Sequence, residues 1–159
     1  MVMSDQPVLS RRVPDALRPY TGFLLSKLGA SAQKQFAARL ETLGLTTRMW
    51  GTLNVLDGEG AVTQHALCRA VGVDPSSMVA TIDELEKRGL VERRRHPVDR
   101  RAHALHVTDA GLETLARGRE LARQAQDELL APLDAEERER LHELLLALAV
   151  AGDPPGGPT

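Results

Sequence analysis

The sequence has little of several features that would define other protein classes. It has one cysteine, Cys68, which excludes an intramolecular disulfide and a four-cysteine zinc scaffold. It has no run of about 20 apolar residues, the length that a membrane-spanning helix needs. Residues 1–12 also lack the apolar core of a secretory signal. The 159 residues are 42% hydrophobic, as expected of one folded domain, and we expect a cytoplasmic protein with no membrane partner.

Charge is distributed unevenly along the chain. The net charge is only −2, but residues 87–101 contain seven basic and two acidic side chains, so this segment carries +5 and the rest carries −7. A compact basic segment on an acidic body indicates a local contact with a polyanion. The alternative is a solvated charged hairpin. The basic residues are Lys87, Arg88, Arg93, Arg94, Arg95, Arg100 and Arg101.

The N-terminal part of the chain predicts a flexible arm and then a long amphipathic helix. Residues 1–14 contain two prolines and little apolar periodicity, which predicts the arm. Apolar residues then recur every three or four positions, which predicts a helix over about residues 15–43 that ends at Gly44. Such a long single stripe is typical of a contact with another chain. The stripe consists of Leu17, Tyr20, Leu24, Leu28, Ala32, Phe36, Leu40 and Leu43.

Two shorter helices follow, each with a start signal and a stop signal. Thr46 is expected to cap the second helix, which the segment of residues 57–60 ends. Thr63 is expected to cap the third helix, and Gly72 is expected to end it.

The fourth helix completes a helix-turn-helix pattern. Asp74 and Pro75 stand where an N-cap and a first helical residue belong, and Gly89 is the expected stop. The connection at residues 71–73 is very short and contains glycine, as in a helix-turn-helix. The residues predicted to attach this helix to the core are Met78, Ile82 and Leu85.

A β-hairpin is predicted directly after the helix-turn-helix. Residues 90–95 and 102–108 alternate as extended strands do, and residues 96–101 form a basic turn built around proline and aspartate. A hairpin in this position makes the motif a winged helix. The second helix of such a motif fits the major groove of DNA, and its wing reaches the minor groove or the backbone.

Two helices are predicted in the C-terminal part. Thr108 is expected to cap a long helix over about residues 109–130, which Pro132 ends. Asp134 and Glu137 resemble a capping box for a last helix over about residues 134–150, before a disordered tail at 152–159. The predicted apolar stripes are Leu112, Leu115, Ala116, Ala122, Ala125 and Leu129 in the long helix and Leu141, Leu144, Leu145 and Leu148 in the last.

The predicted fold is therefore mainly α with a small β-hairpin wing. One domain spans residues 15–151, and its terminal helices form a dimerisation region. The winged helix-turn-helix spans residues 46–108, with the helix-turn-helix at 63–88 and the wing at 90–107.

The sequence resembles the MarR family of transcriptional regulators in three places. These are the fourth helix, which is the recognition helix of the predicted motif, the wing, and the segment that leads from the wing into the next helix. The matching segments are Val73–Met78, Asp83–Val91, Asp99–Arg101 and Leu105–Gly111, within a resemblance that covers residues 16–150. The resemblance implies a homodimer with interlocked terminal helices that binds pseudo-palindromic operator DNA as a repressor. It also implies a small aromatic or lipophilic ligand that weakens DNA binding.

The resemblance, together with the helix-turn-helix pattern, assigns the residues expected to contact DNA. Short side chains near the start of the recognition helix can bond phosphates or base edges, and the helix N-terminus favours a phosphate. Many relatives have an arginine where this chain has Ala80, so more weight falls on the wing and on DNA shape. The expected contacts are Thr63, Gln64, Pro75, Ser76, Ser77, Val79, Ala80, Asp83, Arg93, Arg94, Arg95, Asp99, Arg100 and Arg101.

The resemblance places an effector pocket between the first, second and fifth helices. Aromatic rings there can sandwich a planar ligand, and a cation can meet a carboxylate. The alternative is that the same rings are core or dimer packing and the cations are solvated. The candidate residues are Tyr20, Phe23, Lys27, Arg48, Met49 and Trp50.

Other functions are weaker interpretations of the sequence. No catalytic or cofactor-binding motif is present, so neither an enzyme nor a cofactor is expected. A winged helix can also serve as a protein-interaction module, although the recognition face lacks large apolar anchors. Cys68 and His65 allow a redox- or metal-responsive repressor, but a packed thiol is favoured and no metal site is predicted.

Overall fold

The structure is a computed structural model and describes residues 13–60, 63–95 and 103–152. It is mainly helical with one two-stranded antiparallel sheet, which confirms the predicted fold class. Among the described residues, no helix is long and apolar enough to cross a membrane. The elements are a 3-10 turn (Asp15–Leu17), α1 (Thr21–Glu41), α2 (Thr47–Glu59), α3 (Gln64–Val71), α4 (Pro75–Lys87), β1 (Val91–Arg95), β2 (His103–Val107), α5 (Asp109–Leu129) and α6 (Ala135–Gly152).

The predicted helix over residues 15–43 is wrong at its start. Residues 15–17 form a separate turn, since Pro19 has no backbone N–H and its ring would clash within a continuous helix. Tyr20, expected in the apolar stripe, precedes α1 in an extended conformation and is 62% exposed. At the other end the chain leaves the helix through Gly44, whose φ of +67° favours glycine.

The predicted N-caps are confirmed. The side-chain oxygens of Thr46, Thr63 and Asp74 accept backbone N–H groups in the first turns of α2, α3 and α4. Thr108 does the same for α5. Each cap satisfies an N–H that the first turn of a helix otherwise leaves unpaired, which is why residues with short polar side chains mark these boundaries.

α2 is longer than predicted. Residues 57–59 belong to the helix, which ends at Gly60 with a φ of +73°. Asp57 binds Arg119 of α5 at 2.7 Å between the carboxylate and the guanidinium. A single glycine at position 58 costs a helix only about 1 kcal/mol relative to alanine, so the helix continues through it.

The core of the protein lies between α2, α3, α4 and the hairpin, with contributions from α1 and α5. The inner face of α4 is confirmed, because Met78, Ile82 and Leu85 are completely buried. Gly72 adopts a left-handed conformation between α3 and α4 and allows the sharp turn of the helix-turn-helix. The other buried apolar residues of this core are Leu40, Leu45, Met49, Leu53, Leu56, Leu67, Cys68, Leu90, Val91, Leu105 and Leu115.

The hairpin follows α4 and packs against it. Val91 pairs with Val107 and Arg93 pairs with Leu105 in the antiparallel register, and the observed strand bounds agree with the prediction to within one residue. The predicted turn at 96–101 lies outside the described residues, as do most of the predicted arm and tail.

The apolar stripe predicted for α5 is only partly right. Leu115 is completely buried, but Leu112 and Ala116 are exposed. The buried positions that replace them are Gly111 and Gly118, where α5 comes too close to its neighbours for a side chain. A Cβ atom at Gly111 would lie 2.1 Å from the carbonyl oxygen of residue 90.

α6 begins with the predicted capping box and exposes much of its apolar surface. The backbone N–H of Glu137 donates to Asp134 at 2.9 Å, and the side chain of Glu137 accepts the N–H of residue 134 at 3.0 Å. The helix thus has a well-formed start but leaves several large apolar side chains exposed. These are Leu144, Leu145, Leu146, Leu148 and Val150.

Candidate nucleic-acid interface

The surface of α4 that faces away from the core carries small and polar side chains. Val79, which is 39% exposed, is the largest apolar residue among them. Of the six α4 residues that were expected to contact DNA, Ser77 alone is half-buried. Because no bulky side chain projects before Lys87 at its end, this face can approach the floor of a DNA major groove closely. The exposed residues ahead of Lys87 are Pro75, Ser76, Val79, Ala80 and Asp83.

Asp74 organises the start of this helix. Its Oδ1 atom accepts the Ser76 hydroxyl at 2.6 Å and the backbone N–H of Ser77 at 2.9 Å. These hydrogen bonds hold the pKa of the Asp74 carboxyl well below its usual value, so the cap stays ionised at neutral pH.

This cap changes the role expected for the α4 N-terminus. A phosphate there would meet the Asp74 carboxylate, which is negatively charged and already takes the backbone N–H of Ser77, so the structure argues against the expected phosphate contact. Ser76 donates its hydroxyl proton to the same carboxylate and keeps only acceptor capacity. It is therefore suited to accept from the amino group of cytosine or adenine.

The arginines of β1 differ in their surroundings. The guanidinium of Arg93 binds Asp83 at 3.0 Å and Glu86 at 2.5 Å, both on α4. Arg94 pairs with Glu92 of its own strand, and Arg95 is exposed. The predicted contacts Asp99, Arg100 and Arg101 lie outside the described residues.

Thr63 and Gln64 lie at the start of α3, where both are half-buried. The hydroxyl oxygen of Thr63 accepts the N–H of Ala66 at 3.3 Å, so Thr63 caps α3. Its hydroxyl proton remains available to a phosphate oxygen.

Arg48 lies beside α4 and not in the effector pocket to which the sequence analysis assigned it. It lines a cleft of about 450 Å³ between the start of α2 and the outer face of α4, together with Ser77 and Ala80. Sequence reasoning assigned it to the effector pocket and missed it as a candidate DNA contact. The available local signal was its position beside the Thr46 cap at a helix start, but only the packing of α2 on α4 shows what it faces.

The six candidate effector residues are not gathered into one cavity. Tyr20 is exposed ahead of α1, Met49 is buried in the core, and Arg48 lies beside α4. Phe23 and Lys27 are half-buried on the first half of α1. Of the six, only Trp50 lines the cavity between α1, α2 and α5.

That cavity has a volume of about 370 Å³ and a mostly apolar lining. Trp50 meets Phe36 edge to face, with ring centroids 4.9 Å apart. The indole Nε1 atom of Trp50 is buried and has no hydrogen-bond partner among the described residues. The remaining lining residues are Ala32, Gln33, Gln35, Ala122, Ala125, Gln126 and Leu129, so amides are its polar groups, and none of the described residues that line it is charged.

Cys68 is buried in α3, as the interpretation of a packed thiol predicts. His65 on the same helix is exposed. Across the described residues, no cluster of three or more histidine, cysteine, aspartate or glutamate side chains has the geometry to hold a metal ion.

Comparisons with known proteins agree with this geometry. Residues 43–102, from the turn that follows α1 to the wing, match the sequence model described as "MarR family". A protein of Thauera aromatica, named as a transcriptional regulatory protein for the hcr operon, is 34% identical over 141 residues, which are 88% of this chain and 85% of the relative.

Two solved structures extend the similarity to the fold. A transcriptional regulator from Pseudomonas aeruginosa is 32% identical with a TM-score of 0.71, covering 83% of this chain and 98% of its own. The transcriptional repressor CouR, bound to a 23-mer DNA duplex, is 31% identical with a TM-score of 0.76, covering 88% of this chain and 99% of its own. This chain belongs to the MarR family of transcriptional regulators.

Proposed function

We propose that this regulator is a homodimeric repressor that binds pseudo-palindromic operator DNA and leaves it when a small aromatic or lipophilic ligand binds. The observation that carries DNA binding is the outer face of α4, with short side chains beside the arginine-rich strand β1. The similarity to CouR, solved on a DNA duplex, supports the same assignment.

Base recognition is assigned to α4 and phosphate binding to the segments that flank it. Ser76 accepts from a base amino group and Val79 contacts a thymine methyl. Arg48 on one flank of α4 and Arg95 on the other bind the DNA backbone. With Ala80 in the face, guanine is not read by an arginine at that position.

The test is a selection followed by a titration. The wild-type protein selects its tightest duplex from a random-sequence pool, and binding to that duplex and to a scrambled duplex is measured at several salt concentrations. We expect tight, competitor-resistant binding with two protomers per site. Arg48→Ala should reduce the magnitude of the slope of log K against log salt by about 0.9 for each protomer, the value for one lost phosphate contact. No DNA binding at low salt would overturn the proposed function.

The proposal of a homodimer rests on apolar surface that α1 and α6, the first and last helices, leave exposed. An apolar groove of about 440 Å³ lies between α1, the α5–α6 connection and α6, lined by Leu25, Leu28 and Leu145 among others. A second copy that covers this groove would bury surface that water now reaches. In such a dimer the two recognition helices lie about 34 Å apart, one turn of DNA.

Light scattering tests the dimer. Leu145→Glu places a charge in the groove, and we expect the measured mass to fall from two chains to one while the helical circular-dichroism signal persists. Glu139→Gln, elsewhere on α6, is the control and should remain dimeric. A wild-type protein that is a monomer at the concentration that saturates DNA would contradict the dimer.

The ligand is proposed to enter the cavity beside Trp50, the only tryptophan of the chain. Its lining of aromatic rings and amides fits a planar molecule with a hydrogen-bond acceptor. Intrinsic fluorescence can therefore follow binding of benzoate and of its neutral analogue benzamide. We expect quenching by an aromatic probe, together with release of the selected duplex. Unchanged fluorescence and unchanged DNA binding with both probes at millimolar concentration would contradict this site.

A further inference from the structure

An ion-pair cluster joins the base of the wing to the recognition helix. Asp83 and Glu86 are three residues apart, so they share one face of α4. Arg93 of β1 reaches both carboxylates, through Nη2 to Asp83 Oδ1 at 3.0 Å and through Nη1 to Glu86 Oε2 at 2.5 Å. We call these three residues the Arg93 cluster.

The Arg93 cluster lies at the surface expected to face DNA. The side chains of Asp83, Arg93 and Glu86 are 59%, 37% and 25% exposed. Ion pairs with this much exposure add little to the free energy of unfolding, so the cluster contributes little to the stability of the fold. Its net charge is −1, beside a helix that is proposed to enter a groove lined by phosphates.

Arg93 already uses part of its donor capacity on α4. Each of its two Nη atoms binds a carboxylate of that helix, so a phosphate has to compete with two ion pairs for this guanidinium. The pairs also connect the wing to α4 at a fixed position. A target that requires the wing and the helix to bind together benefits from that preorganisation.

We propose that Asp83 and Glu86 are specificity-determining residues, because they hold Arg93 on the recognition helix and so withhold one arginine charge from DNA that the helix does not read. Non-specific binding depends almost entirely on contacts between cations and phosphates, so it suffers most from the withheld charge. Arg93 is then a positioning residue for the wing and not a phosphate contact. This inference rests on the proposed DNA-binding function.

The test is a cycle of variants measured by salt titration. Asp83→Asn combined with Glu86→Gln removes both carboxylates from the cluster, and the same pair of changes is repeated in an Arg93→Gln background. Glu136→Gln combined with Glu139→Gln on α6 is the control with an equal change of net charge. Each protein is titrated with the selected duplex and with the scrambled duplex, and circular dichroism monitors the fold.

We expect the variant without the two carboxylates to bind the scrambled duplex at least threefold more tightly. Its salt dependence should steepen by about 0.9 for each protomer, the value for one additional phosphate contact. The ratio of affinities for the selected and the scrambled duplex should fall, and neither the Arg93→Gln background nor the α6 control should show the steeper slope.

Two results would overturn the inference while the proposed function stands. One is an equal steepening with and without Arg93, which would mean simple repulsion between the carboxylates and DNA. The other is a shallower slope for Arg93→Gln alone, which would mean that Arg93 already binds a phosphate. Failure of the wild-type protein to bind any duplex would instead remove the proposed function itself.

Discussion

The winged region and helix α6 hold large aliphatic side chains in opposite environments. Leu53, Leu67 and Leu85 are completely buried between α2, α3, α4 and the hairpin. Leu148 and Val150 of α6 are 63% and 67% exposed. The winged region therefore gains its hydrophobic stabilisation from contacts within the chain, whereas α6 gains that stabilisation only when another surface covers it. The comparison separates the part that reads DNA from the part that is proposed to pair with a second copy.

The largest difference between the two regions should appear when buried and exposed leucines are truncated. Leu53→Ala is expected to lower the free energy of unfolding by about 3 kcal/mol, since it leaves a cavity in a closed core. Leu148→Ala should change it by less than about 1 kcal/mol and should instead weaken self-association. Urea denaturation and sedimentation equilibrium measure the two effects. Equal losses of stability in both variants would contradict the comparison.

Glycine substitutions test how tightly the winged region is packed. Gly111→Ala is expected to destabilise the protein by about 2 kcal/mol, because the new Cβ would lie 2.1 Å from a backbone oxygen at the base of the hairpin. Gly51→Ala is the control, since no described atom beyond its chain neighbours and its own helix backbone lies within 4 Å of its Cβ position, and it should stabilise α2 by up to about 1 kcal/mol. Thermal denaturation checks both signs. A neutral Gly111→Ala would show that α5 can move away from the hairpin.

The junction between the hairpin and α5 depends on Thr108. Its hydroxyl donates to the carbonyl of Gly89 at 2.6 Å, and its oxygen accepts the N–H of Gly111 at 3.1 Å. Thr108→Ala should therefore cost about 1 kcal/mol of unfolding free energy, as expected for a lost N-cap. Thr114→Ala, six residues further along the chain in α5, removes only a bond within the helix and should stay within about 0.5 kcal/mol. Chemical denaturation compares the two, and equal effects would argue against the cap.

The smallest effect is expected from acid. The pKa of Asp74 is lowered from 3.8 by its hydrogen bonds to Ser76 and Ser77, so below about pH 4 the unfolded chain binds the proton more readily. The contribution of Asp74 to stability is therefore present above pH 4 and is lost as the pH falls toward its lowered pKa. Asp74→Asn keeps a good N-cap but removes this titration, so its melting temperature should fall less steeply between pH 4 and pH 2.

A carboxylate outside the winged region provides the comparison for that measurement. The pKa of Glu120 on α5 is lowered to about 2 by hydrogen bonds from Arg123 and Gln124. Glu120→Gln should flatten the same part of the profile. If Asp74→Asn and the wild type lose stability in parallel, the Asp74 cap does not differ in proton affinity between the folded and unfolded states.

Much of the fold could be predicted from the sequence because its signals are local. A cap such as Thr63 bonds an N–H only three residues away, and the apolar spacing of Met78, Ile82 and Leu85 follows from the period of a helix. The start of α1 was also encoded locally, by Pro19, but the apolar periodicity across it favoured one continuous helix. Along α5 the predicted stripe failed at Leu112, because two glycines and not the apolar side chains mark where this helix is closest to its neighbours.

The sequence by itself determined the order of elements, their caps, the inner face of α4 and the basic segment, all of which depend on neighbours within one or two turns. The tertiary structure alone decided what the charged side chains face. Arg93 reaches Asp83 and Glu86 only because the hairpin folds back onto α4, and Arg48 shares a cleft with Ser77 only because α2 packs there. A guanidinium is attracted to a carboxylate and to a phosphate alike, so its partner is set by geometry that residue spacing does not contain.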